Sequence, residues 1–252
     1  MPDWFRAFRA SLTFLTRIPV GGFPYSPGTW KWITIWFPLV GLLLGGIQVV
    51  AWVGLEPLPD WPQCILVVAT GILLTGCFHE DGLADSADAL GGGHDRDSTL
   101  AILKDSRIGS FGATALFLAL FLKISLLVEL GATAPLGLLL GQSLSRVVPV
   151  IQMSLQPYAR GEEEPSRSRN IVESGGFQAV LALLWGLLIL GAAYRWGPVL
   201  PFQILVMIGT LMTLSVLVGI TAQRKVGGVT GDFLGALQQL SEIGILAALL
   251  ID

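Results

Sequence analysis

Seven apolar stretches leave this chain few ways to fold: residues 33–55, 62–78, 111–130, 134–153, 177–194, 200–222 and 233–251. Each is near the ~20 residues an α-helix needs to cross the hydrocarbon of a bilayer. Only 13% of the 252 residues are charged, against about a quarter in an ordinary soluble domain. That is too little polar surface to coat a globule of this size. The predicted fold is all-α: a polytopic transmembrane helical bundle of about seven spans, forming one domain over residues 1–252. No internal repeat is visible. The seventh stretch fits least well, because it carries Gln238, Gln239 and Glu242.

The basic residues orient this layout. Alternating sides from the N-terminus places twelve of the fifteen Lys and Arg residues on the N-terminal side. Only Arg195 falls opposite, and Lys123 and Arg146 lie within spans. The asymmetry predicts a cytoplasmic N-terminus, and it gathers every polar cluster on that face. Charge inside a span is costly and usually functional, so Lys123 and Arg146 read as functional, with Glu242 as an in-span partner for either; snorkelling is the alternative for Lys123 and Glu129. Ahead of the first span, Phe5, Phe8, Leu12 and Leu15 form one helical stripe, read as an interfacial helix on the membrane surface. A flap packed on the bundle is the alternative. Cys64 and Cys77 share an apolar run and read as buried small hydrophobes, not as a disulfide or zinc framework.

The stretch GCFHEDGLADSADALGGG (76–93) stands apart from these runs. Glu80, Asp81, Asp85 and Asp88 fall within nine residues. If the segment is helical, Asp81, Asp85 and Asp88 lie at i, i+4 and i+7 and share a face. Like charges in that register repel unless something positive sits among them. A hard divalent cation such as Mg²⁺ takes such oxygen ligands. The bland alternative is a solvated acidic loop. His79 reads as a structural helix-end residue or as a proton carrier, and Gly82 as a point where the backbone approaches a ligand.

Three further segments face the same side. Lys104, Asp105 and Arg107 precede Gly109 and Gly112, a set suited to a phosphate or pyrophosphate beside a metal. The alternative is a positively charged anchor at a helix start. Lys225, Gly227, Gly228, Gly231 and Asp232 form a glycine-rich turn whose amides can approach an anion, with Asp232 as a helix N-cap or metal ligand. An ordinary interhelical turn is the competing reading. The segment GEEEPSRSR (161–169) reads as a solvated loop, with a lid as the sharper alternative.

Together the segments FLTRIPV (14–20), GCFHEDGLADSADAL (76–90), LKDSRIGSFG (103–112) and KVGGVTGDFLGAL (225–237) resemble the cobalamin synthases, the adenosylcobinamide-GDP ribazoletransferase family. The resemblance implies a Mg²⁺-dependent polytopic enzyme of the bacterial inner membrane with a cytoplasmic active site. It would join adenosylcobinamide-GDP to α-ribazole or its 5′-phosphate, releasing GMP. Carried onto this chain, Glu80, Asp81, Asp85, Asp88, Asp105 and Asp232 are the expected metal ligands. Asp88 or His79 is the expected base, Lys104 and Arg107 the phosphate contacts, and Lys225, Gly227, Gly228 and Gly231 part of the nucleotide site. The lipid bilayer is an expected partner and nucleic acid is not. A homo-oligomer or other corrinoid-pathway enzymes are further candidate partners. A CDP-alcohol phosphotransferase is the nearest rival, but its D-G pair continues with Ala-Arg, whereas Gly82 here precedes Leu83-Ala84-Asp85. A cation-coupled transporter is the rival from another class; it predicts midplane charge and related halves.

Overall fold

The structure, a computed structural model, describes residues 3–159 and 175–251. The 161–169 loop therefore lies outside the described residues. Helix α1 (Asp3–Leu15) and the short α2 (Pro27–Trp30) precede a 3₁₀ turn (Ile33–Trp36) that runs into α3 (Phe37–Gly54). Then come α4 (Asp60–Thr75), α5 (Phe78–Gly92), α6 (Arg96–Ile102) and α7 (Ser110–Leu130). Helices α8 (Ala134–Leu144), α9 (Val147–Leu155), α10 (Gly176–Trp196), α11 (Pro201–Val226) and α12 (Gly231–Ala248) complete the chain. Among the described residues there is no strand, only an isolated parallel bridge between Tyr158 and Val229.

Every predicted apolar stretch is helical. Four helices are long and apolar enough to cross a bilayer, or five if the bent pair α4–α5 counts as one. One of those four is the continuous apolar run Ser110–Leu155, which joins α7, α8 and α9. It does not extend as one rod. Lys123 on α7 and Gln142 on α8 both reach Oε1 of Glu242, at 3.1 and 2.9 Å. Nineteen residues of straight helix would separate them by about 28 Å. The chain therefore doubles back near Gly131, whose φ is +49°.

Close backbone approach holds the bundle together. Gly41 and Gly45 on α3 form a G-x-x-x-G stripe against α8, where a Cβ on Gly45 would stand 2.7 Å from the Leu138 carbonyl oxygen. Small residues at this spacing let membrane helices pack at van der Waals distance. Helix α12 lies at the centre, with buried residues on nearly every side, including Gln238, Gln239 and Glu242. The polar content that made this stretch a poor lipid-facing span suits a helix surrounded by other helices.

Two expectations need correcting. The second apolar stretch does not run straight into the acids: α4 stops at Thr75, Gly76 and Cys77 adopt left-handed φ of 67° and 61°, and α5 leaves at 90°. Cys77 is consequently exposed, and only Cys64 is buried. The stripe on α1 is also divided. Leu12 and Leu15 are buried in a core with Ile33, Phe37 and Val40, while Trp4 and Phe5 at the helix start stay exposed. Most of α1 packs on the bundle, and its first turn alone retains an exposed aromatic face.

Candidate functional site

The acidic segment is a helix, Phe78–Gly92, the condition under which Asp81, Asp85 and Asp88 share a face. Helix α5 starts from the αL pair Gly76–Cys77, and Arg17 helps fix this corner. The Arg17 amide donates to the Leu74 carbonyl at 2.7 Å, and its side chain occupies the space a Cβ on Gly76 would need. Glycine is required there twice over, for its φ and for its size.

One turn of α5 presents its carboxylates to two environments. Asp81 is exposed and Asp85 half-buried. Asp88 is half-buried and committed: its Oδ2 accepts the Gly109 amide at 2.6 Å and its Oδ1 the Gly112 amide at 2.8 Å. Those amides open α7, so Asp88 supplies from a distance the cap that the helix start lacks. This contact draws the Lys104–Gly109 segment against the acidic face. Within that segment Arg107 grips Asp105, with Nε and Nη2 donating to Oδ2 at 3.0 and 2.6 Å. These bonds hold the Asp105 carboxyl down at about 2, below its usual 3.8. The Arg107 side chain remains 87% exposed, so the guanidinium is aimed while staying open to an anion.

Glu80 turns the other way, against its expected place among the metal ligands. It is buried and accepts from Gln239 at 3.1 Å. Gln239 in turn accepts from Lys123 at 3.0 Å, and Lys123 pairs with Glu242 at 3.1 Å. Gln142 and Gln238 also donate to Glu242, while Arg146 donates to Gln142 at 2.7 Å. Lys123 therefore does not snorkel. Its 4% exposure and buried partner make it part of an electroneutral network of Glu80, Glu242, Lys123 and Arg146. The glutamines of this network were not singled out as site residues. Their signal was available as amides and charges in otherwise apolar helices, which are costly unless partnered.

The glycine-rich turn also has structural duties that the spacing alone did not reveal. Gly227, at φ +82°, ends α11. Gly228 lies against the Pro157 carbonyl, and the Val229 amide donates to that oxygen at 2.9 Å. Thr230, not Asp232, caps α12, accepting the Phe233 amide at 3.3 Å. Lys225 donates to the Gly93 carbonyl at 2.8 Å. Gly231 and Asp232 form the first turn of α12. Gly82 makes room for that turn and not for a ligand: a Cβ on it would stand 2.9 Å from the Asp232 carbonyl oxygen. Asp232 is thereby brought beside the acidic helix. His79 is buried, its ring edge-on to Phe78 at 5.1 Å.

Among the described residues, no three His, Cys, Asp or Glu side chains converge into a preformed metal cage. Mg²⁺ does not demand one, since it commonly takes one or two carboxylates and completes its shell with water and substrate phosphates. Asp81 and Asp85 stand one helical turn apart on α5 and are the residues that could hold an ion in this way.

The chain matches the cobalamin-5-phosphate synthase family over residues 7–250. It is 38% identical over 260 aligned positions to the adenosylcobinamide-GDP ribazoletransferase of Shewanella baltica strain OS185, covering 97% of this chain and 93% of that protein. The Shewanella oneidensis enzyme of the same name is 36% identical at the same coverage. That of Shewanella frigidimarina is 37% identical over 94% of this chain and 90% of its own length. No solved structure gives a significant match.

Proposed function

The chain belongs to the cobalamin-5-phosphate synthase family, and we infer from that membership and from the acidic face of α5 how its reaction is run. It is an adenosylcobinamide-GDP ribazoletransferase, acting in the assembly of the nucleotide loop of cobalamin. The oxygen of the acceptor hydroxyl on α-ribazole, or on its 5′-phosphate, forms a bond to the phosphorus that carries the cobinamide. The bridging P–O bond breaks, GMP leaves with its electron pair, and the hydroxyl proton passes to a base on the protein.

Asp81 and Asp85, with Asp232 beside them, would hold a Mg²⁺ ion at the diphosphate end of the substrate. Bound Mg²⁺ would neutralise the diphosphate and ease departure of GMP. Arg107, aimed by Asp105, contacts the phosphates together with Lys104. Asp88 fixes the Gly109–Gly112 backbone against α5. Its oxygens already serve two amides, which favours His79 as the proton acceptor. Lys225 and the glycines at 227, 228 and 231 shape the rim of the nucleotide site. Seven crossings, a cytoplasmic N-terminal side and a place in the bacterial inner membrane complete the reading.

The observation that carries the site assignment is the pair of bonds from Asp88 to Gly109 and Gly112, which joins the acidic and cationic motifs into one surface. The test is direct. Protein in liposomes receives adenosylcobinamide-GDP, α-ribazole and Mg²⁺, and mass spectrometry follows GMP and cobalamin. Stoichiometric formation of both, abolished by a chelator, is expected. Absence of product from folded protein overturns the reading.

A further inference from the structure

Resting on the reaction above, we propose that a cavity walled by α1, α3, α5, α9 and α12 binds the aromatic base of the acceptor. The cavity encloses about 40 Å³, and about 470 Å³ with its open mouth included. Three phenylalanine rings form one side of it. Phe14 and Phe37 lie nearly parallel with centroids 5.9 Å apart, and Phe78 meets Phe14 edge-on at 5.2 Å. Met153 and Leu234 extend the apolar lining. Convergent aromatic walls with few polar groups are the usual makeup of a small-molecule site.

Only three side chains bring polarity to this lining: His79, Arg146 and Gln238. Arg146 is 2% exposed and its Nε has no acceptor. A buried donor left unpaired is costly, and a small shift of the Arg146 side chain, which forms part of this lining, would let a ligand acceptor satisfy it. α-Ribazole is a ribosylated dimethylbenzimidazole. It offers a flat apolar bicycle with one unsubstituted ring nitrogen, which is an acceptor. Guanine suits the walls poorly, because donors and acceptors around its edge would be left unpaired. The corrin ring is far too large. Position agrees as well. The lining residue Phe78 stands one turn before Asp81 on the same face of α5, and the lining residue Gly231 directly precedes Asp232. A base seated here holds its ribose next to the acidic face.

The experiment uses the full chain in liposomes. Free dimethylbenzimidazole should inhibit the wild-type protein competitively against α-ribazole and not against adenosylcobinamide-GDP. Phe78→Ala, at a partly exposed ring, should raise KM for α-ribazole about tenfold, the scale of a lost aromatic contact, with donor KM within about twofold. Met153→Trp, which fills the cavity, should act in the same direction. A rise in donor KM alone, or no inhibition by the free base, overturns the proposal. If the wild type forms no cobalamin at all, the reaction assignment has failed instead. Equilibrium binding of α-ribazole then decides the cavity: weaker binding to Phe78→Ala supports it, and equal binding to both proteins overturns it.

Discussion

Glu80 and Asp81 are neighbours on α5, yet Glu80 is 7% exposed and bound to Gln239 while Asp81 lies on an exposed face. The buried side of the helix belongs to a closed network in which Lys123 and Arg146 balance Glu80 and Glu242 and four amides or hydroxyls link them. The outward side carries Asp81, exposed, with Asp85 and Asp88 half-buried, and Asp88 accepts the Gly109 and Gly112 amides. The difference separates two uses of charge in one membrane protein. Inside, charge is cancelled by the protein and fixes how α5, α7, α8 and α12 meet. Outside, the carboxylates lie at the surface of α5, where Asp88 also ties down the start of α7.

Lys123→Met should break the inner set. It leaves Glu242 buried without its cation, at a cost of about 3–5 kcal/mol, read as a large fall in melting temperature in detergent. Adding Glu242→Gln should restore part of that loss, because it removes the unpaired charge and keeps an acceptor for Gln142 or Gln238. Failure of the second change to rescue would mean that the lost charge pairing is not what destabilises the first variant.

Asp81→Asn should do the reverse. Turnover should fall by about 10²–10³, as when a group stabilising transition-state charge is removed, with the melting temperature nearly unchanged. Near-normal cobalamin formation would remove Asp81 from the site. Gly82→Ala probes the seam between the two sides, since its Cβ would stand 2.9 Å from the Asp232 carbonyl oxygen. Forcing α5 and α12 apart should cost about 1–3 kcal/mol and also lower activity. A variant as stable and active as wild type would show that the contact can relax.

The smallest effect concerns Asp105. Arg107 holds its carboxyl at about 2, so the pair persists above the ordinary 3.8 and is lost as pH falls through the lower value. Arg107→Ala should return the Asp105 titration, followed by carboxyl NMR, toward 3.8. An unchanged midpoint would mean that another group sets it.

Much of this was legible from residue order. Apolar runs near bilayer length, few charges and the i, i+4, i+7 spacing of Asp81, Asp85 and Asp88 depend on local chemistry and period, and each stretch is helical. The likeness of four motifs to one family pointed to the reaction. Residue order could not tell that Glu80 turns inward, that Gly82 admits a helix and not a ligand, or that Thr230 caps α12 where Asp232 was a candidate. Nor could it choose which in-span cation meets Glu242; the structure shows Lys123, 119 positions away.

Sequence by itself therefore determined the helices, their apolar character and the motifs that carry the chemistry, because these follow from backbone hydrogen bonding and side-chain type over a few residues. Only the tertiary structure decided which carboxylates of α5 turn into the core and which face outward. The αL pair at Gly76–Cys77 turns α5 by 90° against α4. That single corner, with α12 packed against Gly82, sets which face of α5 meets the core and which does not.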